Sequence, residues 1–186
     1  MPGIGIARTF QNIELFAGLT ALDNILLGRH GRMGSGLFGS LLFTRSARRA
    51  EIAARRAAEG VIDFLELEAV RDETVATLPY GIRKRVELGR ALALEPELLL
   101  LDEPATGMNA EETEELAFWI SEIQGGLGIT VLLVEHDMHF VMDLSDRVCV
   151  LDAGQIVTAG RPVDVQRHPD VIAAYLGGTA HAAASG

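Results

Sequence analysis

The chain has 186 residues, 48% of them hydrophobic, and a formal net charge of −10. This composition is typical of a globular domain and excludes a disordered polypeptide, and the acidic balance argues against nucleic acid as a partner. No hydrophobic run approaches the roughly 18 residues that a membrane-spanning helix needs, so we expect one domain or most of a larger one.

The first half of the chain predicts helices around a glycine-rich loop. Thr20 is placed to cap the helix that follows it, and the glycines of residues 31–39 predict a loop. Residues 46–67 carry hydrophobic side chains at helical spacing, which predicts an amphipathic helix with Gly60 as its candidate break. A further helix is expected over residues 82–94, which precede Pro96.

The second half predicts a strand–helix–strand unit. Residues 98–101 are four leucines, and a strand this apolar is typical of a parallel sheet that is covered on both faces. The elements expected after it are a helix at 111–124, a strand at 129–134, a helix at 138–144, a hairpin of strands 147–151 and 155–158, and a short helix led by Pro162. The fold class is therefore α/β, with a mostly helical insert at about residues 18–94.

Acidic and imidazole side chains follow the two predicted central strands. Ligands bind beyond the carboxyl ends of strands in an open parallel sheet. Asp102 there can hold Mg²⁺, and Glu103 can polarise a water for attack on phosphorus. His136 follows the next strand, where a neutral imidazole can contact a terminal phosphate or the attacking water. The alternative is that the acids only cap the next helix or solvate a strand end and that the histidine is structural.

Three further positions carry weaker local signals. Gln11 can offer its amide oxygen to Mg²⁺, although glutamine is a common residue. Residues 78–81 precede a basic helix whose free N–H groups suit a phosphate, and Gly81 allows the phosphate to approach the backbone. A plain turn and cap is the alternative there. Asn109 is placed to cap the helix after the acids.

These motifs, in this order, resemble those of ABC transporter ATPases. Gln11 matches the Q-loop glutamine, and Leu78, Pro79, Tyr80 and Gly81 match the signature motif. Asp102 and Glu103 match the Walker B pair, Asn109 the end of the D-loop, and His136 the switch histidine. The resemblance covers about residues 4–178. It implies ATP and Mg²⁺ as cofactors, and a P-loop NTPase-like parallel sheet with a helical subdomain.

Four segments of the sequence resemble those of the ATP-binding subunits of branched-chain amino-acid importers. They are residues 7–12, the glycine-rich segment, the sequence Leu-Pro-Tyr-Gly at 78–81 and the ending at 154–177. This resemblance implies a dimer with a second ATP-binding subunit. It further implies a position on two permease subunits at the cytoplasmic face of the plasma membrane, and uptake of a solute from a periplasmic binding protein. Pro79 and Tyr80 depart from the serine and glycine of the commonest signature.

The 186 residues contain one lysine, Lys84, and no phosphate loop of the form G-x-x-x-x-G-K-[ST]. By the resemblance, the N-terminal strands and that loop would precede Met1, so we expect the chain alone to bind ATP weakly and to be inactive. We expect a partial ATPase domain at 1–178, with a helical subdomain at about 18–94, a catalytic core at about 95–160 and a disordered tail at 179–186. Two alternatives remain open: a non-hydrolysing module that complements a partner's nucleotide site, and a soluble ABC-type ATPase without a transport role.

Overall fold

The computed structural model describes residues 5–9, 15–30 and 45–173. Two compact units divide the chain, residues 1–135 and residues 136–186, and each unit is described by itself. The predictions for Gln11, for the glycine-rich loop and for the disordered tail lie outside the described residues.

A parallel sheet of three strands forms the centre of the first unit. The strands are β1 (Ile6–Arg8), β2 (Leu98–Asp102) and β3 (Thr130–Val134), in the spatial order β1-β2-β3. Helix α4 (Ala110–Leu127) connects β2 to β3, as a crossover between parallel neighbours requires. The predicted strand–helix–strand unit is confirmed, and β2 and β3 end level with each other because Asp102 pairs with Val134.

The two faces of this sheet differ in burial. Ala7, Leu99 and Leu101 alternate onto one face and are at most 2% exposed. On the other face, Leu132 and Val134 of β3 are 56% and 55% exposed. The expectation that the leucine strand lies in a sheet covered on both faces is therefore not met within the described residues, because none of them covers these two side chains.

Three helices pack together in the first unit, namely α1 (Ala21–His30), α2 (Arg45–Phe64) and α3 (Tyr80–Leu92). Thr20 caps α1 as predicted, because its Oγ1 accepts the Asp23 N–H at 3.1 Å. Short 3₁₀ turns at Glu68–Val70 and Val75–Thr77 connect α2 to α3. The close approach of α1 to α3 requires Gly28, since a Cβ there would lie 2.2 Å from the Arg90 carbonyl oxygen.

The candidate break at Gly60 is wrong, because α2 continues through this residue to Phe64. A glycine inside a helix costs only about 1 kcal/mol relative to alanine. The packing of Ala58 and Ile62, both fully buried on either side of Gly60, outweighs that cost.

The second unit contains a hairpin between two short helices, α5 (Met138–Leu144) and α6 (Pro162–Val165). The hairpin pairs β4 (Val148–Asp152) with β5 (Gln155–Gly160), and its two turn residues both have positive φ, +47° at Ala153 and +81° at Gly154. Positive φ at both central positions is typical of tight hairpin turns, and the predicted hairpin is confirmed. Within the described ranges, no helix combines the length and the apolar character that crossing a bilayer would take.

Candidate functional site

Asp102 lies at the carboxyl end of β2 and is paired with an arginine of the neighbouring strand. Arg8 is in register with Leu100, and Asp102 follows two residues later on the same face of the sheet. The Arg8 Nη2 atom therefore reaches the Asp102 Oδ2 atom at 2.9 Å, with the two side chains 53% and 36% exposed. The sequence did not predict this pair, because the register of β1 against β2 cannot be read from either segment alone.

The carboxylate at this end of the sheet suits a Mg²⁺ ion whose other ligands are water and the phosphates of a nucleotide. Across the described ranges, no group of three or more histidine, cysteine or acidic side chains could hold a metal by itself. Mg²⁺ in phosphoryl-transfer sites needs no such cage, since one or two carboxylates, waters and substrate phosphates complete its shell. Asp102, half-exposed at the strand end, has the oxygen chemistry that this arrangement requires.

Glu103 turns the chain sharply away from β2. Its φ is +44°, in the left-handed region that side chains other than glycine rarely adopt. The Glu103 N–H still donates to the Val134 carbonyl at 2.8 Å, which extends the strand pairing by one residue. The Glu103 Oε2 atom accepts a hydrogen bond from the Thr106 hydroxyl at 3.3 Å. Backbone strain of this kind is enriched at functional sites, and in this chain Glu66 and Glu95 also have positive φ, so the Thr106 contact is the observation that distinguishes Glu103.

Glu135 also lies at this end of the sheet, although no role was predicted for it. Its Oε1 atom accepts the Ala105 N–H at 2.9 Å, which fastens the end of β3 to the turn that follows the acids. The structure thus brings Asp102, Glu103 and Glu135 together at one end of the sheet. The clue in the sequence was that Glu135, like Asp102, directly follows a predicted strand.

His136 begins the second unit and is exposed. The next residue, Asp137, caps α5 by accepting the N–H groups of His139 and Phe140 at 2.9 and 3.2 Å. The role of His136 at a terminal phosphate stays a prediction.

At the start of α3 the protein's own carboxylate lies where a phosphate was predicted. The Gly81 N–H donates to Glu112 Oε1 at 3.2 Å. The other oxygen of Glu112 accepts the Asn109 N–H at 3.0 Å, and the Glu112 N–H donates to Asn109 Oδ1 at 3.0 Å. Asn109 therefore caps α4 as predicted, in a capping box. The second link, from Glu112 to Gly81, joins the signature-like segment to the loop before α4.

The basic side chains of α3 are engaged inside the fold. Lys84 and Glu87 are 4% and 3% exposed, and their Nζ and Oε2 atoms lie 3.7 Å apart. Arg85 pairs with Glu115 of α4 at 2.9 Å and lies over the Trp119 ring. Arg85 therefore stabilises the contact between α3 and α4, whereas Lys84 and Glu87 pair within α3.

Tyr80 forms a second link between α3 and the loop after the acids. Its hydroxyl donates to the Thr106 carbonyl at 2.9 Å. Burial raises the pKa of the Tyr80 phenol, and the nearby Glu87 carboxylate raises it further. The phenol is therefore a protonated donor at neutral pH. No local pattern predicted this contact, because its partners lie 26 residues apart.

Known sequences resemble this chain over most of its length. Residues 2–106 match the family described as ABC transporter, and residues 155–181 match the family described as branched-chain amino acid ATP-binding cassette transporter. The chain is 40% identical over 174 residues to LivG of Escherichia coli strain K12, a high-affinity branched-chain amino acid transport ATP-binding protein. That match covers 94% of the chain and 68% of LivG. BraF of Pseudomonas aeruginosa, described in the same terms, is 38% identical, with 93% and 68% covered.

Solved structures show the same fold. A nucleotide-free ATP-binding cassette from an ABC transporter superposes with a TM-score of 0.74 at 30% identity, covering 92% of this chain and 68% of that one. A cassette in its ADP conformation gives a TM-score of 0.74 at 28% identity, with 93% and 68% covered. These structures confirm the predicted P-loop NTPase-like α/β fold. A more distant relative, the sulfate/thiosulfate import ATP-binding protein CysA 1 of Rhizobium meliloti, is 38% identical over 88% of the chain and 44% of its own length.

Proposed function

The chain belongs to the ABC transporter family, and from this premise we propose that it is the ATP-hydrolysing subunit of an importer for branched-chain amino acids. The observation that carries the proposal is the end of β2, where Asp102 and a backbone-strained Glu103 lie beside Glu135. The substrate class is supported by the descriptions of LivG and BraF and by the family matched at residues 155–181.

In this proposal the two acids have separate tasks. Asp102 holds Mg²⁺, directly or through water. Glu103 accepts a proton from the water that attacks the terminal phosphate of ATP, which is the task of a general base. Magnesium, when bound, neutralises charge on the phosphate oxygens. The Thr106 hydroxyl supports this assignment, because its hydrogen bond to Glu103 Oε2 orients the carboxylate before substrate binds.

The remaining predicted site residues enter the proposal by resemblance to the family. Gln11 contributes to the Mg²⁺ and water site, His136 contacts the terminal phosphate, and Asn109 contributes from its loop. Leu78, Pro79, Tyr80 and Gly81 face the nucleotide of a second ATP-binding subunit. For Gly81 to donate its N–H to that phosphate, Glu112 must release it first.

The proposed partners are two permease subunits, a second ATP-binding subunit and, indirectly, a periplasmic binding protein. They imply a cytoplasmic subunit on the inner face of the plasma membrane. We propose that the helical subdomain at about residues 18–94 faces the permease. Crosslinks to a permease that fall only on other residues would contradict this part of the proposal.

The test is an edit of the chromosomal gene in the source cell, so that the protein is studied as the cell makes it. Glu103→Gln should lower the uptake of radiolabelled leucine to the level of a gene deletion. Glu122→Gln is the matched control, because Glu122 is an exposed glutamate on α4, and uptake should stay at the wild-type level. Sulfate uptake should be unchanged in both strains.

Each alternative has its own outcome in this experiment. Leucine uptake that depends on the gene but survives Glu103→Gln would favour the non-hydrolysing module. Leucine uptake that survives deletion of the gene would favour the other alternative, a soluble ABC-type ATPase without a transport role.

A further inference from the structure

A chain of side-chain contacts runs from the start of α3 to the proposed catalytic acid. The Tyr80 hydroxyl donates to the Thr106 carbonyl at 2.9 Å, and the Thr106 hydroxyl donates to Glu103 Oε2 at 3.3 Å. Thr106 is therefore held through its backbone by Tyr80 and holds Glu103 through its side chain.

We propose that Tyr80 is a positioning residue for Glu103 and acts through Thr106. The inference rests on the proposed function, in which Glu103 activates water for ATP hydrolysis. It gives a task to a residue that departs from the commonest signature motif, which has glycine at the position of Tyr80.

The conformation of the loop explains why an anchor is needed here. The peptide between Thr106 and Gly107 is flanked by a glycine with φ +81°, and glycine permits many backbone conformations. Without a partner for its carbonyl, this peptide can rotate at low cost. Rotation changes the backbone at Thr106, and the preferred side-chain rotamer of a residue depends on its backbone angles. The Tyr80 hydroxyl prevents this rotation.

The packing around Gly107 supports the same conclusion. A Cβ placed on Gly107 would lie 3.4 Å from the Tyr80 hydroxyl oxygen, so the phenol end of Tyr80 lies against the loop. Glu135 anchors the loop at the Ala105 N–H, on the other side of Thr106. Glu135 holds the Ala105 N–H and Tyr80 holds the Thr106 carbonyl, so the two contacts hold different groups of the loop and one cannot replace the other.

The experiment uses the transporter purified from cells whose chromosomal gene has been edited. Tyr80→Phe removes one hydroxyl and keeps the ring. A hydrogen bond contributes about 1 kcal/mol net, so we expect kcat for ATP hydrolysis to fall about five-fold. KM for ATP should stay unchanged, because the hydroxyl that is removed contacts the Thr106 carbonyl and the ring of the signature-like segment is kept. Thr106→Val removes the hydroxyl that reaches Glu103 and should lower kcat similarly, whereas Thr106→Ser keeps that hydroxyl and should retain wild-type kcat.

The double variant gives the sharper result. If Tyr80 acts through Thr106, then Tyr80→Phe combined with Thr106→Val should lower kcat no further than either single change, since coupled residues are not additive. Ser121→Ala is the control, because it removes a hydroxyl that donates to the Ala117 carbonyl at 3.0 Å within α4. It should leave kcat unchanged.

The outcomes separate this inference from the function on which it rests. If Glu103→Gln leaves hydrolysis intact, the proposed function fails, and the inference fails with it. If Glu103→Gln abolishes hydrolysis but Tyr80→Phe matches the wild type, only the inference is overturned. The same holds if the two single losses multiply in the double variant, or if Tyr80→Phe raises KM without lowering kcat.

Discussion

The end of β2 and the start of α3 were both predicted to meet phosphate, and the structure builds them in opposite ways. At the end of β2 the acids are half-exposed, and their placement comes from strand register and from a left-handed residue at Glu103. At the start of α3 the backbone N–H of Gly81 already has a partner in Glu112, and Lys84 is buried against Glu87. The first region leaves its acids accessible from solvent, and the second joins parts of the fold.

Because the two regions differ in this way, substitutions in one should change activity and substitutions in the other should change stability. Substitutions at the end of β2 remove a chemical group and little packing, so they should change rates more than the free energy of unfolding. Substitutions on α3 remove partners of buried groups, so they should change the free energy of unfolding. Trp119 is the chain's single tryptophan and is 4% exposed, which makes its fluorescence a probe for urea unfolding of the first unit.

The largest stability effect is expected at the buried ion pair of α3. Glu87→Gln leaves the Lys84 charge buried without its counter-ion and should lower the free energy of unfolding by about 3–5 kcal/mol. The double change Lys84→Met with Glu87→Leu should recover most of this loss, because a hydrophobic pair can replace a buried ion pair.

The control for this pair is Arg55→Gln, which breaks a more exposed ion pair of similar separation, 3.8 Å, with Glu59. It should cost about 1 kcal/mol or less. If Glu87→Gln and Arg55→Gln lower the free energy of unfolding equally, burial does not make the ion pair of α3 more important for stability than an exposed pair.

The next effect concerns the position of α3 against α1. Gly28→Ala places a methyl group 2.2 Å from the Arg90 carbonyl oxygen, so the helices must move apart, at a cost of about 1–3 kcal/mol. Gly60→Ala is the matched control, since nothing lies within 4 Å of its Cβ position. It should stabilise the protein by about 0.5–1 kcal/mol. Urea unfolding in which both alanines act in the same direction would contradict the α1–α3 contact.

The smallest effect is expected where the two regions are joined. Glu112→Ala removes the acceptor of the Gly81 N–H and half of the capping box, which should cost about 1 kcal/mol. Glu111→Ala, in the same first turn of α4, removes a charge that favours the helix dipole and should cost about 0.5 kcal/mol or less. Urea midpoints that are the same for the two variants would argue that the link to Gly81 contributes no stability.

Local patterns predicted the elements of this fold well. The leucine strand, the cap at Asn109 and the hairpin turn each depend on neighbouring residues, and each was found. Gly60 was misjudged because the burial of its helix neighbours is a tertiary property. The exposed face of β3 was not expected, since a hydrophobic sequence does not say which residues will cover it.

The candidate site could be predicted only in part, because some of its contacts depend on tertiary packing. Asp102 and Glu103 could be named because each motif is contiguous in sequence. Glu112 and Tyr80 make contacts across 31 and 26 residues that depend on how α3 meets α4 and the loop before it. One signal was available: Lys84 and Glu87 share a helical stripe with the buried Leu88, which indicates that these charges face the core.

The most direct test of the central claim compares hydrolysis and binding of ATP in the purified transporter carrying Glu103→Gln. We predict that hydrolysis falls by about 10²–10⁴-fold, the typical contribution of a general base, while the affinity for Mg²⁺-ATP and the urea midpoint stay at wild-type values. Equal loss of hydrolysis and of ATP binding, or hydrolysis at the wild-type rate, would contradict the assignment of Glu103 as the residue that activates water.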